Sequence, residues 1–331
     1  MSVTLRLAWR NLWRHSRRTW LTVGAMVFCN ALLVFLISTQ LGSYAMMIDG
    51  TLGFLTGHLQ VQEQRYNDEP RMRYTVPEGV NLAQSLRETT GSRAIAARGT
   101  AFALASSEDR SFGIQILGVQ PESEPLVSTL PGLVKQGRFL EDNDAAEIVV
   151  GAVLASNLKI GIGDELTFLG SGRDDSFAAG VATVVGIINA GMTDLDRSIA
   201  EIPLGYFQDI FAMEDDVHSI VMKVDDLDEV APLQRQVQAQ LPGSQLTVLD
   251  WDQLQPGLRQ AIQADLFSAF VMYAVLIVLV AFSVLNTQLM SVLERTREFG
   301  VMTALGVRPG QLGRLVLLET AIMSLLGLGL G

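Results

Sequence analysis

Two long runs without a charged residue constrain this chain more than any other feature. Residues 19–48 form 30 consecutive uncharged positions, and residues 266–293 form another 28. Each run exceeds the roughly 20 apolar residues that a helix needs to cross the hydrocarbon core of a bilayer. A third apolar stretch, 312–331, ends the sequence without a polar cap, so we expect the natural protein to continue. The sequence therefore predicts spanning helices over 19–48, 266–293 and 312–331.

The charge distribution predicts how these spans are oriented. Residues before the first run include five arginines and no acid, which places the N-terminus in the cytoplasm. Residues 42–265 hold 15 Lys and Arg against 32 Asp and Glu, a net charge of −17, whereas residues 293–314 hold four Arg and two Glu. A signal peptide is excluded as an explanation of the first run because its apolar part is only about 7 to 15 residues long. We therefore predict that 49–265 is a large extracytoplasmic domain.

The first 18 residues have the pattern of a helix that lies in the headgroup region. Leu5, Trp9, Leu12 and Trp13 fall on one helical face, while the arginines fall on another. Tryptophans at positions i and i+4 are typical of a membrane interface. Residues 1–18 are thus predicted to be an amphipathic interfacial helix on the cytoplasmic side.

The extracytoplasmic segment has the alternating pattern of an α+β domain. Strand character appears at 58–63, 101–105, 112–119, 147–150, 165–169, 182–188, 219–224 and 246–249. Helical character appears between them, at 82–88, 152–159, 204–211 and 228–240. Turn residues near Pro121, Pro125 and Pro131 predict a subdomain inserted over about 121–213. The lone Cys29 lies in the first apolar run, so this domain has no disulfide and depends on its own core.

Several kinds of chemistry are missing from the sequence. No segment has the Gly-rich phosphate-binding pattern followed by Lys, so we expect no ATP binding by this chain. The three histidines, His15, His58 and His218, are too dispersed for a metal or catalytic cluster. The acidic runs 214–216 and 225–229 lack calcium-loop spacing and are interpreted as solvated turns. We predict a non-catalytic chain without cofactor or metal, and its acidity argues against nucleic acid as a partner.

The most informative segment is 286–310, NTQLMSVLERTREFGVMTALGVRPG. It leaves the second span, carries alternating charges and stops at a Gly and Pro pair before the third span. Residues 294–311 are therefore predicted to form a short cytoplasmic helix, which is either a docking element for a soluble partner or an ordinary connector. Glu319, in the third span, is either a partnered functional acid or one that snorkels to the interface.

At these residues the sequence resembles the permeases of the MacB, LolC/LolE and FtsX group of ABC transporters. The matching positions are Asn286, Glu294, Arg295, Arg297, Glu298, Gly300, Ala304, Leu305 and Gly306. The segment from Ala8 to Leu12 resembles the N-terminal helix of the same group. Residues 57–61, 149–164 and 185–187 resemble its outer domain, nearest the lipoprotein-releasing LolC/LolE branch.

The resemblance implies an α-helical transmembrane protein with a fourth span beyond residue 331 and a large α+β periplasmic domain, in the bacterial inner membrane. It implies a dimer with a second permease copy or paralogue and two copies of a separate ATPase, which would bind ATP and Mg²⁺. Residues Glu294 to Gly306 would couple to that ATPase. Membrane lipid, lipoprotein cargo and a periplasmic acceptor would be further partners.

The function implied by the resemblance is extraction or release of a lipoprotein or another hydrophobic substrate. Two alternatives within the group are efflux of the MacB type and control of a cell-wall hydrolase of the FtsX type. An alternative of another class is a membrane-tethered sensor or binding module without transport.

Overall fold

The computed structural model describes residues 3–14, 16–107, 110–241, 243 and 245–330. Met1, Ser2 and His15 of the predicted interfacial helix, and Gly331 of the third predicted span, lie outside these residues. The chain divides into two compact units. The helical unit comprises Met1–Met46 and Gln260–Gly331, and the sheet unit comprises Met47–Arg259.

The helices follow the chain in this order: α1 (Val3–Arg14), α2 (Ser16–Leu52), α3 (Gly79–Thr90), α4 (Glu124–Val127), α5 (Ala152–Leu158), α6 (Thr193–Ser198), α7 (Leu204–Ile210), α8 (Val230–Gln238), α9 (Trp251–Leu254), α10 (Pro256–Glu294), α11 (Thr296–Ala304) and α12 (Pro309–Leu330). Short 3₁₀ helices cover Leu130–Leu133 and Leu227–Glu229. The strands are β1 (Leu59–Glu63), β2 (Ile95–Ser107), β3 (Arg110–Val119), β4 (Val134–Gly137), β5 (Glu147–Gly151), β6 (Glu165–Ser171), β7 (Phe177–Ile188), β8 (Ile199–Pro203), β9 (Ser219–Met222) and β10 (Leu246–Asp250).

All three predicted apolar runs are helical. Within the described residues, the helices long and apolar enough to cross a membrane are Thr19–Leu52, Pro256–Glu294 and Pro309–Leu330. At about 1.5 Å per residue, α2 and α10 are each roughly 55 to 60 Å long, against a hydrocarbon core of about 30 Å. Both helices are therefore longer than a bilayer crossing requires.

The N-terminal helix α1 packs on α12 rather than standing apart from the helical unit. Its Leu12 is buried in a small apolar cluster with Val23 and Met323. The same helix exposes Trp9 and Trp13, whose rings meet edge to face with centroids 5.8 Å apart. Exposed tryptophans beside arginines are the composition of an interfacial helix, which is how α1 was predicted.

The sheet unit confirms the α+β prediction. Its strands form one sheet in the order β10-β1-β9-β2-β3-β8-β5-β7-β4, with β6 pairing with both β2 and β7. Every segment predicted as a strand overlaps one of these strands, although 58–63 and 219–224 extend beyond β1 and β9, whereas β4 and β8 were not predicted. The predicted inserted subdomain over about 121–213 supplies β4 to β8, and β8 pairs in parallel with β3. The boundaries of that subdomain stay a prediction.

Three phenylalanines fill the largest core of the sheet unit. Phe168, Phe207 and Phe211 are fully buried, and the Phe207 and Phe211 rings lie 4.6 Å apart between centroids. The Phe207 ring packs directly over Gly99 of β2 and Gly118 of β3, which oppose each other in the sheet. Because neither glycine has a Cβ, the sheet leaves room for the aromatic ring at this point.

A buried charged cluster lies between β2, β8 and α4. The Arg98 guanidinium donates hydrogen bonds to the Glu124 carboxylate and to the Leu55 carbonyl. Glu201 on β8 is completely buried, and neither of its carboxylate oxygens has a hydrogen-bond partner among the described residues. The pKa of Glu201 is raised to about 8, chiefly by burial and also by the neighbouring Glu124 carboxylate, while Arg98 opposes the shift.

We expect Glu201 to make the stability of the sheet unit depend on pH. The folded chain holds this proton more tightly than the unfolded chain, whose carboxyl has an ordinary pKa of 4.5. The stabilisation of the folded chain by this bound proton is therefore fully present below pH 4.5 and is lost as pH rises towards 8. The free energy of unfolding falls by up to about 1 kcal/mol per pH unit in this range. Thermal unfolding of the purified chain should show a melting temperature that falls between about pH 5 and about pH 9.

The matched variant is Glu201→Gln, which carries no charge at either pH. It should melt at nearly the same temperature across this range and above the wild type at the alkaline end. Equal pH dependence of the wild type and the variant would show that Glu201 is not the group responsible.

Candidate functional site

The connector between the second and third apolar helices is a short helix with a defined start and stop. Arg295 lies between α10 and α11 with φ −100° and ψ 12°, which breaks the helix at that residue. At the other end Gly306 has φ +91°. Its amide donates to the Thr303 carbonyl at 3.0 Å, and the Val307 amide donates to the Met302 carbonyl at 3.1 Å. This is the Schellman arrangement, which glycine favours because it has no Cβ, and Pro309 then begins α12.

One side of the connector is tied to α12 through a buried ion pair. The Arg295 guanidinium contacts the two Glu319 carboxylate oxygens at 3.2 and 3.1 Å. Only 9% and 6% of the two side chains are exposed. The Asn11 side-chain amide of α1 also donates to the Glu319 carboxylate, at 2.7 Å. Glu319 is therefore a partnered acid, and whether it has a function stays a prediction.

A second ion pair extends this contact to the arginines of α1. The Glu298 carboxylate lies 2.9 Å from the Arg14 guanidinium and 3.3 Å from the Arg295 guanidinium. The Arg295 guanidinium also lies 5.0 Å from the centre of the Phe299 ring. We call Asn11, Arg14, Arg295, Glu298 and Glu319 the corner cluster, because it joins α1, α11 and α12 at the corner after α10.

The other side of the connector is exposed. Val301 and Leu305 have 61% and 81% of their surface accessible, and Glu294 and Arg297 are exposed with them. Arg297, Val301 and Leu305 follow the spacing of one side of a helix, and together with Glu294 at the end of α10 we call them the outward face. Gly300 and Ala304 lie beside them, are also exposed, and are small enough to let another backbone approach closely. The predicted coupling residues thus separate into an inward group, Arg295 and Glu298, and an outward group.

A polar group between α2 and α10 was not predicted from the sequence. The Asp265 carboxylate accepts hydrogen bonds from the Tyr44 hydroxyl at 2.5 Å and from the Gln40 amide at 2.9 Å. The Tyr273 hydroxyl donates to the Gln40 side-chain oxygen at 2.6 Å. The sequence signal for this polar group is a set of polar residues at the end of otherwise apolar runs. That signal does not predict which of these residues contact each other.

An apolar cavity of about 640 Å³ lies among α2, α10 and α12. Its walls are mainly aliphatic, with Cys29 among them and a few polar side chains, including Asn30 and Gln288. A cavity of this volume and lining is suited to an apolar ligand rather than to a charged one.

The residues with metal-binding or acid-base chemistry are engaged elsewhere in the fold. In the part of the chain that the structure describes, no group of three or more His, Cys, Asp or Glu side chains is placed to hold a metal ion. Asp216 of the first acidic run lies 3.0 Å from the Arg173 guanidinium and accepts a hydrogen bond from Thr75. Burial lowers the pKa of His218 to about 4, and both its ring nitrogens contact backbone groups.

Comparison with known proteins gives two family matches that divide the chain. Residues 19–240 match the model of the MacB-like periplasmic core domain, which is more than half of the sequence. Residues 270–331 match the FtsX-like permease C-terminal model. This chain belongs to the MacB/FtsX-like permease family. The resemblance seen in the sequence is confirmed, and the second match contains α11, α12 and all of the predicted coupling residues.

Curated relatives of the permease include lipoprotein-releasing system proteins. The transmembrane protein LolC of Xylella fastidiosa is 24% identical over 217 residues, which are 63% of this chain and 52% of LolC. LolE of Haemophilus influenzae is 22% identical over 237 residues, 70% of this chain and 57% of LolE. An uncharacterized ABC transporter permease of Methanocaldococcus jannaschii is 25% identical over 203 residues, 59% and 48% of the two chains. The permease thus spans about half the length of these relatives.

Among solved structures, the periplasmic region of MacB from Actinobacillus actinomycetemcomitans matches 62% of the permease with 94% of its own chain. Its sequence identity is 14% and its TM-score is 0.45. The extracellular domain of YknZ, a noncanonic ABC-type transporter from Gram-positive bacteria, matches 59% of the permease with all of its own chain. Its identity is also 14% and its TM-score is 0.44.

Proposed function

We propose that this permease is the membrane subunit of an ABC transporter and that a separate ATPase docks on the outward face of α11. The observation that carries this proposal is the division of the connector into a side packed inside the helical unit and a side with exposed Arg297, Val301 and Leu305. Exposed apolar residues beside a charge are the composition of a docking helix. The chain lacks a phosphate-binding loop, so two copies of the ATPase would bind the ATP and Mg²⁺ and hydrolyse the nucleotide.

The proposal includes an orientation in the inner membrane. The N-terminus and α11 lie in the cytoplasm and the sheet unit lies in the periplasm, with a second permease copy or paralogue completing the membrane assembly. Its support is the charge bias, since basic residues flank the first span and acidic residues dominate between the first two. The family match to a periplasmic core domain agrees with this orientation.

For the substrate we propose a lipoprotein or another lipid-like molecule, passed from the membrane lipid towards a periplasmic acceptor. Several curated relatives are named as parts of lipoprotein-releasing systems. The apolar cavity among α2, α10 and α12 has a lining suited to acyl chains. The chain itself performs no covalent chemistry in this proposal, and its helices transmit the movement that the ATPase produces.

Changing the outward face should weaken binding of the ATPase. Leu305→Asp places a charge in a desolvated contact, and Arg297→Glu reverses a charge, so each should lower affinity at least about tenfold, equivalent to ~1.4 kcal/mol. The measurement is co-purification of the permease with the ATP-binding protein encoded beside it.

The control is Phe177→Asp, which changes an equally exposed apolar residue of the sheet unit. It should leave co-purification unchanged. Normal recovery of the ATPase with both α11 variants would mean that α11 is not the docking element.

A further inference from the structure

The buried ion pair of the corner cluster has a role that the docking motif alone does not assign. We propose that Arg295 and Glu319 are a positioning pair that sets the orientation of α11, and that Arg295 does not itself contact the ATPase. The inference rests on the proposed docking function of α11 and assigns a different task to one of the residues predicted to dock.

Arg295 is poorly accessible to a docking partner. Only 9% of the Arg295 side chain is exposed, and its guanidinium already meets Glu319, Glu298 and the face of Phe299. A partner that docked on Arg295 would have to break these contacts and leave a carboxylate unpaired in a buried place, which is costly. The exposed Arg297, two residues further along, can meet a partner without that cost.

The pair lies at a bend in the chain. Arg295 is the residue at which α10 ends and α11 begins, and its backbone is not helical there. Its partner Glu319 lies about 15 Å along α12 from Pro309, at 1.5 Å per residue. The pair therefore ties the bend between two helices to the middle of a third.

Further polar contacts surround the pair. Asn11 bonds the same carboxylate from α1, and Arg14 of α1 bonds Glu298 of α11. Ionisable residues within an apolar span are expensive and ordinarily have a function. Here the charges hold α1, α11 and α12 in one arrangement, so a force applied to the outward face would reach all three helices and α10 together.

The test is a double-mutant cycle on the affinity of the ATPase for the full permease in lipid nanodiscs. The single variants are Arg295→Gln and Glu319→Gln, and the double variant is Arg295→Gln with Glu319→Gln. If the pair positions α11, both single variants weaken binding to a similar degree, by about tenfold or more. The double variant should bind within about threefold of either single variant, because the second change removes no further interaction of the pair and leaves no unpaired buried charge.

The cycle separates positioning from direct contact because Glu319 is buried and cannot touch a partner. Weaker binding only in variants that lack Arg295, with no effect of Glu319→Gln, would overturn the inference, and so would a double variant whose loss is the sum of the two single losses. Wild-type affinity in all variants would overturn it as well. The neutral double variant leaves no unpaired buried charge. It therefore tests the role of the pair even where a single variant fails to fold.

Failure of this inference can be distinguished from failure of the docking proposal by the outward-face variants measured in the same assay. If Leu305→Asp weakens binding while the pair variants do not, only the positioning role is wrong. If Leu305→Asp also binds the ATPase normally, the docking proposal is wrong, and the positioning role that rests on it is wrong as well.

Discussion

Replacing Gly118 with valine is expected to destabilise the sheet unit by about 3 kcal/mol, because the site has no room for a side chain. A Cβ placed on Gly118 would come closer than 3.0 Å to the Phe207 side chain. Phe207 cannot move aside, since it is fully buried and its ring is held against Phe211. For a unit of this size, such a loss lowers the melting temperature by roughly 6 to 12 °C.

The control for this prediction lies on the same strand. Gly113 also belongs to β3, but a Cβ at that position meets nothing within 4 Å. Gly113→Val should therefore leave stability nearly unchanged, and valine suits a strand. Temperature-dependent proteolysis of the purified permease measures both variants. Equal melting temperatures for Gly118→Val and Gly113→Val would contradict the packing of Phe207 over the two glycines.

The helical unit was largely predictable because its signal is local. An uncharged run of about 30 residues has few folded forms other than a spanning helix, and α2 and α10 follow the two runs closely. The stop of α11 was predictable for a similar reason, since Gly306 followed by Pro309 ends a helix wherever it occurs. Such features depend on neighbouring residues and do not require knowledge of the fold.

The strands that were not predicted show where local sequence patterns fail to predict secondary structure. β8 contains Glu201 and ends at Pro203, a composition that disfavours strands, yet it is buried between β3 and β5. Burial from both sides overrides the propensity of its residues, and a sequence does not reveal that a glutamate will be enclosed without a partner. β4 is a short strand at the end of the sheet order, so it has little pattern to recognise.

In the candidate site, the sequence pointed to the segment but not to the different surroundings of its residues. Nothing in the sequence distinguishes the four charged residues Glu294, Arg295, Arg297 and Glu298. Their surroundings differ because Glu319 lies 24 positions after Arg295 and meets it only when α12 folds back. The polar group of Gln40, Tyr44 and Asp265 was missed for the same reason, since Asp265 lies more than 200 positions after the other two.

We propose that α11 faces a cytoplasmic ATPase and that the sheet unit lies on the other side of the membrane. One labelling measurement tests both points. Single cysteines would replace Ser176, an exposed residue of the sheet unit, and Leu305 of the outward face, each in a Cys29→Ala background. An impermeant maleimide is added to cells whose outer layer has been made permeable, and then to lysed membranes with and without the ATPase.

We expect an all-or-none difference between the two positions. Ser176→Cys should react from outside in intact cells, because acidic segments between spans are translocated while basic flanks stay inside. Leu305→Cys should react only after the inner membrane is lysed, and the bound ATPase should then protect it from the reagent. Labelling of both cysteines from the same side, or equal labelling of Leu305→Cys with and without the ATPase, would contradict it.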